Sequence, residues 1–315
     1  MMTGFCQLNL MCFFKAGVFL ILTISVGHKL SAQDLEPRVL SELPVGGNFA
    51  VLSYGYSSGN ILLDNTLPIE GLNAKMNSVV AAYLRSFSLF SRLAKFDVIL
   101  PYALADYEGK VNGIDSTTNR SGIGDPAVRL SVIWAGNKAM TMEEFMKAKR
   151  STFSFGTQIR LKLPVGQYNP EKLINLGANR WALKVGFAGS YNILQKVMLE
   201  AQVNYWFFSE NNDFFGGNSL KQKPLLTTQF HTTYVFNPKL WMSLSLGKSF
   251  MGETVLNGEN KMDRQTNSRF GITAAYRLNP KHSLKLAMTN GLITKYGADF
   301  TSMLLAYQYT WFRKN

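Results

Sequence analysis

The sequence predicts an all-β chain: an antiparallel transmembrane β-barrel of about 12 strands behind a cleaved signal peptide. Three observations carry this. The N-terminus is basic, then apolar, and free of acid. A period-two alternation recurs through the rest of the chain. The connections between the alternating segments run long, short, long, short.

Residues 1–32 contain no Asp or Glu, and Lys15 is followed by the apolar run Ala16 to Val26. A helix needs about 20 apolar residues to span a bilayer, so this run is too short. A basic flank, a short apolar core and Ser31-Ala32-Gln33 form a secretory signal with a cut expected after Ala32. The domains expected are therefore the signal peptide (1–32), a periplasmic N-terminal segment (33–47) and the barrel (48–315). Both cysteines, Cys6 and Cys12, fall inside the signal. The mature chain is thus expected to carry neither a disulfide nor a cysteine-linked lipid. The net charge of +13 would suggest nucleic acid in a cytosolic protein. In an exported one it points to lipopolysaccharide and other anionic headgroups, or to anionic solutes, and no nucleic-acid partner is expected. After Val26 no apolar stretch is long enough for a membrane helix. A membrane-spanning chain must then close its strands into a barrel, because lipid offers the backbone no hydrogen-bond partner.

Alternation predicts strands over 48–57, 74–88, 92–107, 123–135, 151–164, 179–193, 196–209, 223–236, 239–251, 267–278, 282–291 and 300–312. In the seventh, Val197, Leu199, Ala201, Val203, Tyr205 and Phe207 share one face, and Glu200, Gln202, Asn204 and Trp206 share the other. In the twelfth, Met303, Leu305, Tyr307, Tyr309 and Trp311 oppose Ser302, Ala306, Gln308 and Thr310. The second face is small, amidic or sparsely charged, which suits a wet lumen with lipid outside. The long connections (58–73, 108–122, 165–178, 210–222, 252–266, 292–299) alternate with short ones (89–91, 194–195, 237–238, 279–281). An even strand number, long outer loops and short inner turns place both termini in the periplasm of a Gram-negative bacterium. One inner connection, 136–150, is long. There Thr141 and Glu144 fit a capping box, predicting a short amphipathic helix with Met142, Phe145 and Met146 on one face. Aromatics at strand ends, such as Tyr54, Trp134, Trp181 and Trp311, fit interfacial girdles, whereas Trp206 and Trp241 face inward by parity.

Taking the polar face as inward, the lumen candidates are Arg85, Asp97, Arg129, Gln158, Arg160, Lys162, Lys184, Glu200, Gln229, His231, Arg269, Arg277 and Lys285. Basic groups dominate. They form either an anion-selecting pore lining or an inter-strand network whose counter-charge comes from loops or the N-terminal segment. Residues 34–47, with two prolines and no strand pattern, fold into the lumen as a partial plug or lie on the surface as a tail.

Little supports chemistry. The mature chain has two histidines, His231 and His282, too few for a His/Cys metal cluster, and no Gly-x-Ser-x-Gly elbow. No metal, cofactor or enzymatic activity is expected; a hydrolase would need one of those histidines beside a serine.

Segments 35–59, 64–72, 122–132, 163–184, 211–225 and 256–276 resemble the family of outer-membrane proteins named for the meta-pathway of phenol degradation. Its most specific pieces are Gly166-Gln167-Tyr168-Asn169-Pro170 with Asn179-Arg180-Trp181, and Asn212-Asp213-Phe214-Phe215-Gly216-Gly217. The resemblance implies a barrel and uptake of small organic compounds, aromatic ones included. The expected partners are outer-membrane lipid and lipopolysaccharide, the barrel-insertion machinery and a small-molecule solute. The expected function is a channel or transporter. The alternatives are a structural or surface-binding barrel and, more remotely, an outer-membrane hydrolase.

Overall fold

The computed structural model describes residues 35–62, 69–193 and 195–312. The expected signal peptide and the C-terminal Arg313-Lys314-Asn315 lie outside the described residues. Twelve strands form the wall: β1 (Gly47–Leu62), β2 (Ile69–Leu89), β3 (Arg92–Val111), β4 (Ala127–Ala135), β5 (Phe153–Lys162), β6 (Ala182–Ile193), β7 (Val197–Phe208), β8 (Leu225–Asn237), β9 (Leu240–Met251), β10 (Ser268–Arg277), β11 (His282–Ile293) and β12 (Gly297–Phe312). Each pairs antiparallel with its neighbours in the chain. β1 and β12 close the ring from Gly47↔Phe312 to Leu62↔Gly297. Closure leaves no unpaired edge, which membrane insertion demands.

Parity decides which side chains face lipid. Leu244, Leu246, Phe230, Leu305 and Met303 all stand roughly half exposed on the outer face. In lipid this apolar surface is buried rather than a liability. The tight turn between β2 and β3 rests on Phe90 and Ser91, both in the left-handed region (φ 51° and 60°). That is the backbone a two-residue hairpin of the right twist requires. The expected helix is present as α1 (Met142–Lys147). Glu144 N–H donates to Thr141 Oγ1 (3.3 Å) and Thr141 N–H donates to Glu144 Oε2 (2.7 Å). The Glu144 carboxylate accepts from both the Thr141 N–H and the Thr141 hydroxyl (3.0 Å), which holds it below its ordinary pKa.

Three expectations are corrected. The fourth strand does not run 123–135. Residues 114–123 instead continue the β3 hairpin, from Tyr102↔Ile123 to Val111↔Ile114, and β4 starts only at Ala127. Pro126 has no N–H for a ladder, so the break falls at Gly124-Asp125-Pro126. Second, part of the long loops is ordered as sheet: 211–214, 218–222, 254–256 and 259–260 make a separate four-stranded sheet. Each piece has five residues or fewer, too short for alternation to announce it. Third, Arg85 faces outward. It pairs with Asn48, which pairs with the lipid-facing Trp311. β2 mixes small and polar residues on both faces, which misled the parity there.

Two apolar clusters lie inside the ring. At the long-loop end, Leu72, Ala74, Ala105, Tyr107 and Phe300 pack with Ile174 and Leu176 of loop 163–181. At the short-turn end, Leu40 packs with Leu93, Ile133 and Ala188.

Candidate functional site: a basic lumen and its N-terminal plug

The segment 35–46 lies in the barrel, not on its surface. Gly46 N–H donates to the Ser86 carbonyl (2.9 Å), and Ser86 Oγ–H donates to the Pro44 carbonyl (2.6 Å). From there the chain climbs inward through a turn at Arg38 (φ 65°), whose guanidinium sits 4.8 Å over the Trp241 ring. Leu40 fits because residue 156 is glycine: a Cβ there would come within 2.7 Å of Leu40 Cδ2. Glu200 supplies the carboxylate that accepts the otherwise unpaired amides of Val39 (3.2 Å) and Leu40 (3.3 Å). Lys95 Nζ donates to the Val39 carbonyl (2.6 Å) and to that of Ser41 (3.2 Å).

Higher in the lumen the segment brings Glu36 to the basic wall. Arg129 Nη1 reaches its Oε2 at 2.7 Å, Arg160 Nη1 its Oε1 at 3.3 Å, and Lys184 Nζ stands 4.0 Å from Oε2. These three cations occupy one register row, Arg129↔Arg160↔Lys184, on β4, β5 and β6. Asp97 on β3 ends the row, accepting from Arg129 Nε (2.9 Å). The Glu36 backbone is held too: its N–H donates to Gln229 Oε1 (3.1 Å) and its carbonyl accepts from Gln202 Nε2 (2.7 Å). Burial pushes the Glu36 carboxyl up, but Arg129, Lys184, Arg160 and Lys285 outweigh it and hold the group well below the usual carboxylate range.

On β7 the row continues as Trp206, which pairs with Lys184 and faces inward. Lys162 Nζ lies 5.6 Å and Lys184 Nζ 5.5 Å from its ring centre. Phe208 stacks on Trp206 at 6.3 Å, with the Arg180 guanidinium 4.7 Å over Phe208.

Of the sequence candidates, Arg129, Arg160, Lys162 and Lys184 converge on one wall. Glu200 and His231 are buried below them under the plug. Arg269 is inward and buried but turns to the Phe300 carbonyl (3.2 Å). Lys285 is inward and exposed to the lumen, and Arg277 ends the inward row of β10 at the short-turn mouth. Arg85 is excluded by its outward face. Glu36, Lys95 and Gln202 escaped the candidate set. Lys95 and Gln202 carried a usable signal, being two residues from Asp97 and Glu200 on the same faces. Glu36 carried none, because no strand periodicity covers it.

The opposite wall differs in kind. Val51, Val80, Ala82, Leu84 and Ile99 form adjacent inward rows through Val51↔Ala82↔Ile99, and Ala287 pairs with Leu304 on β11 and β12. All are partly exposed. The lumen therefore carries a basic stretch on β4–β6 and an apolar patch centred on β1–β3, with Lys95 and Asp97 of β3 and Lys285 of β11 as inward charged groups beside it.

His231 does meet a serine: its Nδ1 lies 2.8 Å from Ser245 Oγ. Its Nε2 faces Gln229 Oε1 (3.1 Å) and Gln202 Nε2 (3.2 Å) rather than a carboxylate, and the ring is fully buried. Such a pair lacks both the orienting acid and the access that a hydrolytic triad needs.

A closed, lipid-faced ring of twelve antiparallel strands with a polar, plugged lumen defines an outer-membrane β-barrel. Residues 55–301 match the family described as "Putative MetA-pathway of phenol degradation", and the chain belongs to that family. Among solved structures it is similar to the COG4313 outer membrane channel from Pseudomonas putida F1, with TM-score 0.76 and 20% identity over 88% of this chain and 100% of that one. It also resembles the beta domain of the Bordetella autotransporter BrkA (TM-score 0.51, 14% identity, 85% of this chain and 100% of that one). The transport unit of the autotransporter AIDA-I from Escherichia coli matches at TM-score 0.50 and 10% identity, over 96% and 97% of the two chains. No curated protein matches the sequence.

Proposed function

We propose that this protein is a non-enzymatic outer-membrane channel for small organic anions that carry an apolar ring, aromatic carboxylates being the type. The observation that carries the reading is the division of the lumen into a basic wall (Arg129, Arg160, Lys162, Lys184) and an apolar wall (Val51, Val80, Leu84, Ile99). A carboxylate finds donors at the basic groups while its ring keeps to aromatic and apolar surface. Similarity to an outer membrane channel supports passage as the task. In this reading both termini and α1 face the periplasm, the long loops face outward, and the insertion machinery places the barrel.

The test is transport by the refolded chain from residue 33 onward. In planar bilayers it should open with a preference for anions. In liposomes it should pass benzoate faster than benzylamine of similar size. Lys162→Gln should lower the anion preference. A correctly folded barrel that is silent, or that passes both solutes equally, overturns the reading.

A further inference from the structure

We propose that the row Arg129–Arg160–Lys184 is the channel's carboxylate-binding site, and that Glu36 is an internal stand-in for the solute, displaced when an external carboxylate takes its place. This rests on the channel reading above and assigns the site within it.

Three observations support it. First, the row is built without the plug. Its members come from three adjacent strands in direct register, so the site stays in place when Glu36 leaves. All three members reach the one Glu36 carboxylate, so the row is shaped to hold a carboxylate. Second, Glu36 lies only four residues after the cut expected behind Ala32, near the start of the segment that enters the lumen. Its side chain is still about a quarter exposed (26%), unlike those of Arg160 and Lys184 (9% and 6%). Glu36 can therefore leave the row while Leu40, held by Glu200 and the apolar cluster around it, keeps the rest of the plug seated. Third, a ring seat adjoins the carboxylate seat. Lys184 both approaches Glu36 Oε2 and lies over Trp206, so a ring attached to a carboxylate held by Lys184 comes beside the Trp206–Phe208 pair.

A tethered carboxylate competes at high effective concentration, so the wild type is expected to bind a free carboxylate weakly. The experiment follows binding of benzoate, acetate and benzyl alcohol to the full mature barrel in nanodiscs by tryptophan fluorescence. Glu36→Gln should tighten benzoate binding about tenfold, equivalent to about 1.4 kcal/mol. It should leave benzyl alcohol unchanged, and adding Lys184→Gln should abolish the gain. A folded Glu36→Gln barrel that binds benzoate no better than wild type, or that gains equally for benzyl alcohol, overturns the proposal. Benzoate binding no better than acetate overturns the seat given to Trp206. Wild-type protein supplies an independent readout: saturating benzoate should speed amide hydrogen exchange at Glu36, while benzyl alcohol should not, and unchanged exchange overturns displacement. A barrel that transports benzoate yet shows no gain in Glu36→Gln keeps the channel and rejects this site. Tighter binding without transport keeps the site and rejects the channel.

Discussion

Arg85 and Lys162 have the same charge sign and opposite directions, and that difference should be measurable. Arg85→Gln removes a charge on the outer face near the membrane rim, so ion selectivity in planar bilayers should not change. A selectivity loss matching that of Lys162→Gln would put Arg85 back in the lumen. Glu36 makes the second argument from single residues. Its carboxyl is held below its ordinary value of 4.5, so the ion pairs contribute fully above that pH and are lost as pH falls below it. The groups around it are Arg129, Arg160, Lys184 and Lys285, with Asp97, Lys95, Glu200 and His231 in the surrounding shell. Amide protection in residues 36–41 should thus be flat from pH 8 to 5 and fall toward pH 3. In Glu36→Gln the part due to the latch should be absent, and an unchanged acid profile would show that other carboxylates drive the release.

The plug is an irregular segment whose order comes from the wall around it. Its amides are satisfied by Glu200 and Gln229, and its carbonyls by Lys95 and Gln202. Buried backbone needs such partners, so side chains of three strands, β3, β7 and β8, take the role a helix or sheet would otherwise fill. Deleting residues 35–45 should raise single-channel conductance severalfold and leave the barrel folded, since β1 to β12 close without it. Loop 163–181 covers the other end by a different device. Gly177 approaches Gly166 so closely that a Cβ would come within 2.7 Å of its carbonyl carbon, and Asp125 accepts from Gly166 N–H (3.1 Å) and Ala178 N–H (2.9 Å). The Gly166–Pro170 motif thus shapes a cap. The Asn212–Gly217 motif makes a hairpin tip of the small outer sheet.

For the whole barrel, lipid outside and a packed, polar interior invert the pattern of a soluble protein. Phe230 stands near the middle of the outer face of β8. Phe230→Arg should cost about 2–4 kcal/mol, the range for a charge at the bilayer midplane, measured by urea unfolding in vesicles. Among the described residues no helix is long and apolar enough to cross a membrane, so all spanning falls to strands. The stability of the wall and the closure of the lumen are separable: the first depends on the outer apolar band and the ladder, the second on the plug and loop 163–181.

Local rules carried most of the fold into the sequence. A strand's side chains alternate because of covalent geometry, so the twelve strands and the inward direction of Arg129, Arg160, Lys162, Lys184, Glu200, His231, Arg269 and Lys285 could be read directly. The Thr141–Glu144 box was legible for the same reason, since both partners lie within one turn. Parity failed at Arg85, where neither face of β2 is cleanly apolar. What only the tertiary structure decided is which inward groups meet. Glu36 lies 93 residues from Arg129 and 124 from Arg160. Alternation states which face a side chain takes but not which strand stands opposite. Only closure of the ring, with its register, brings three cations into one row and an unpatterned segment between them.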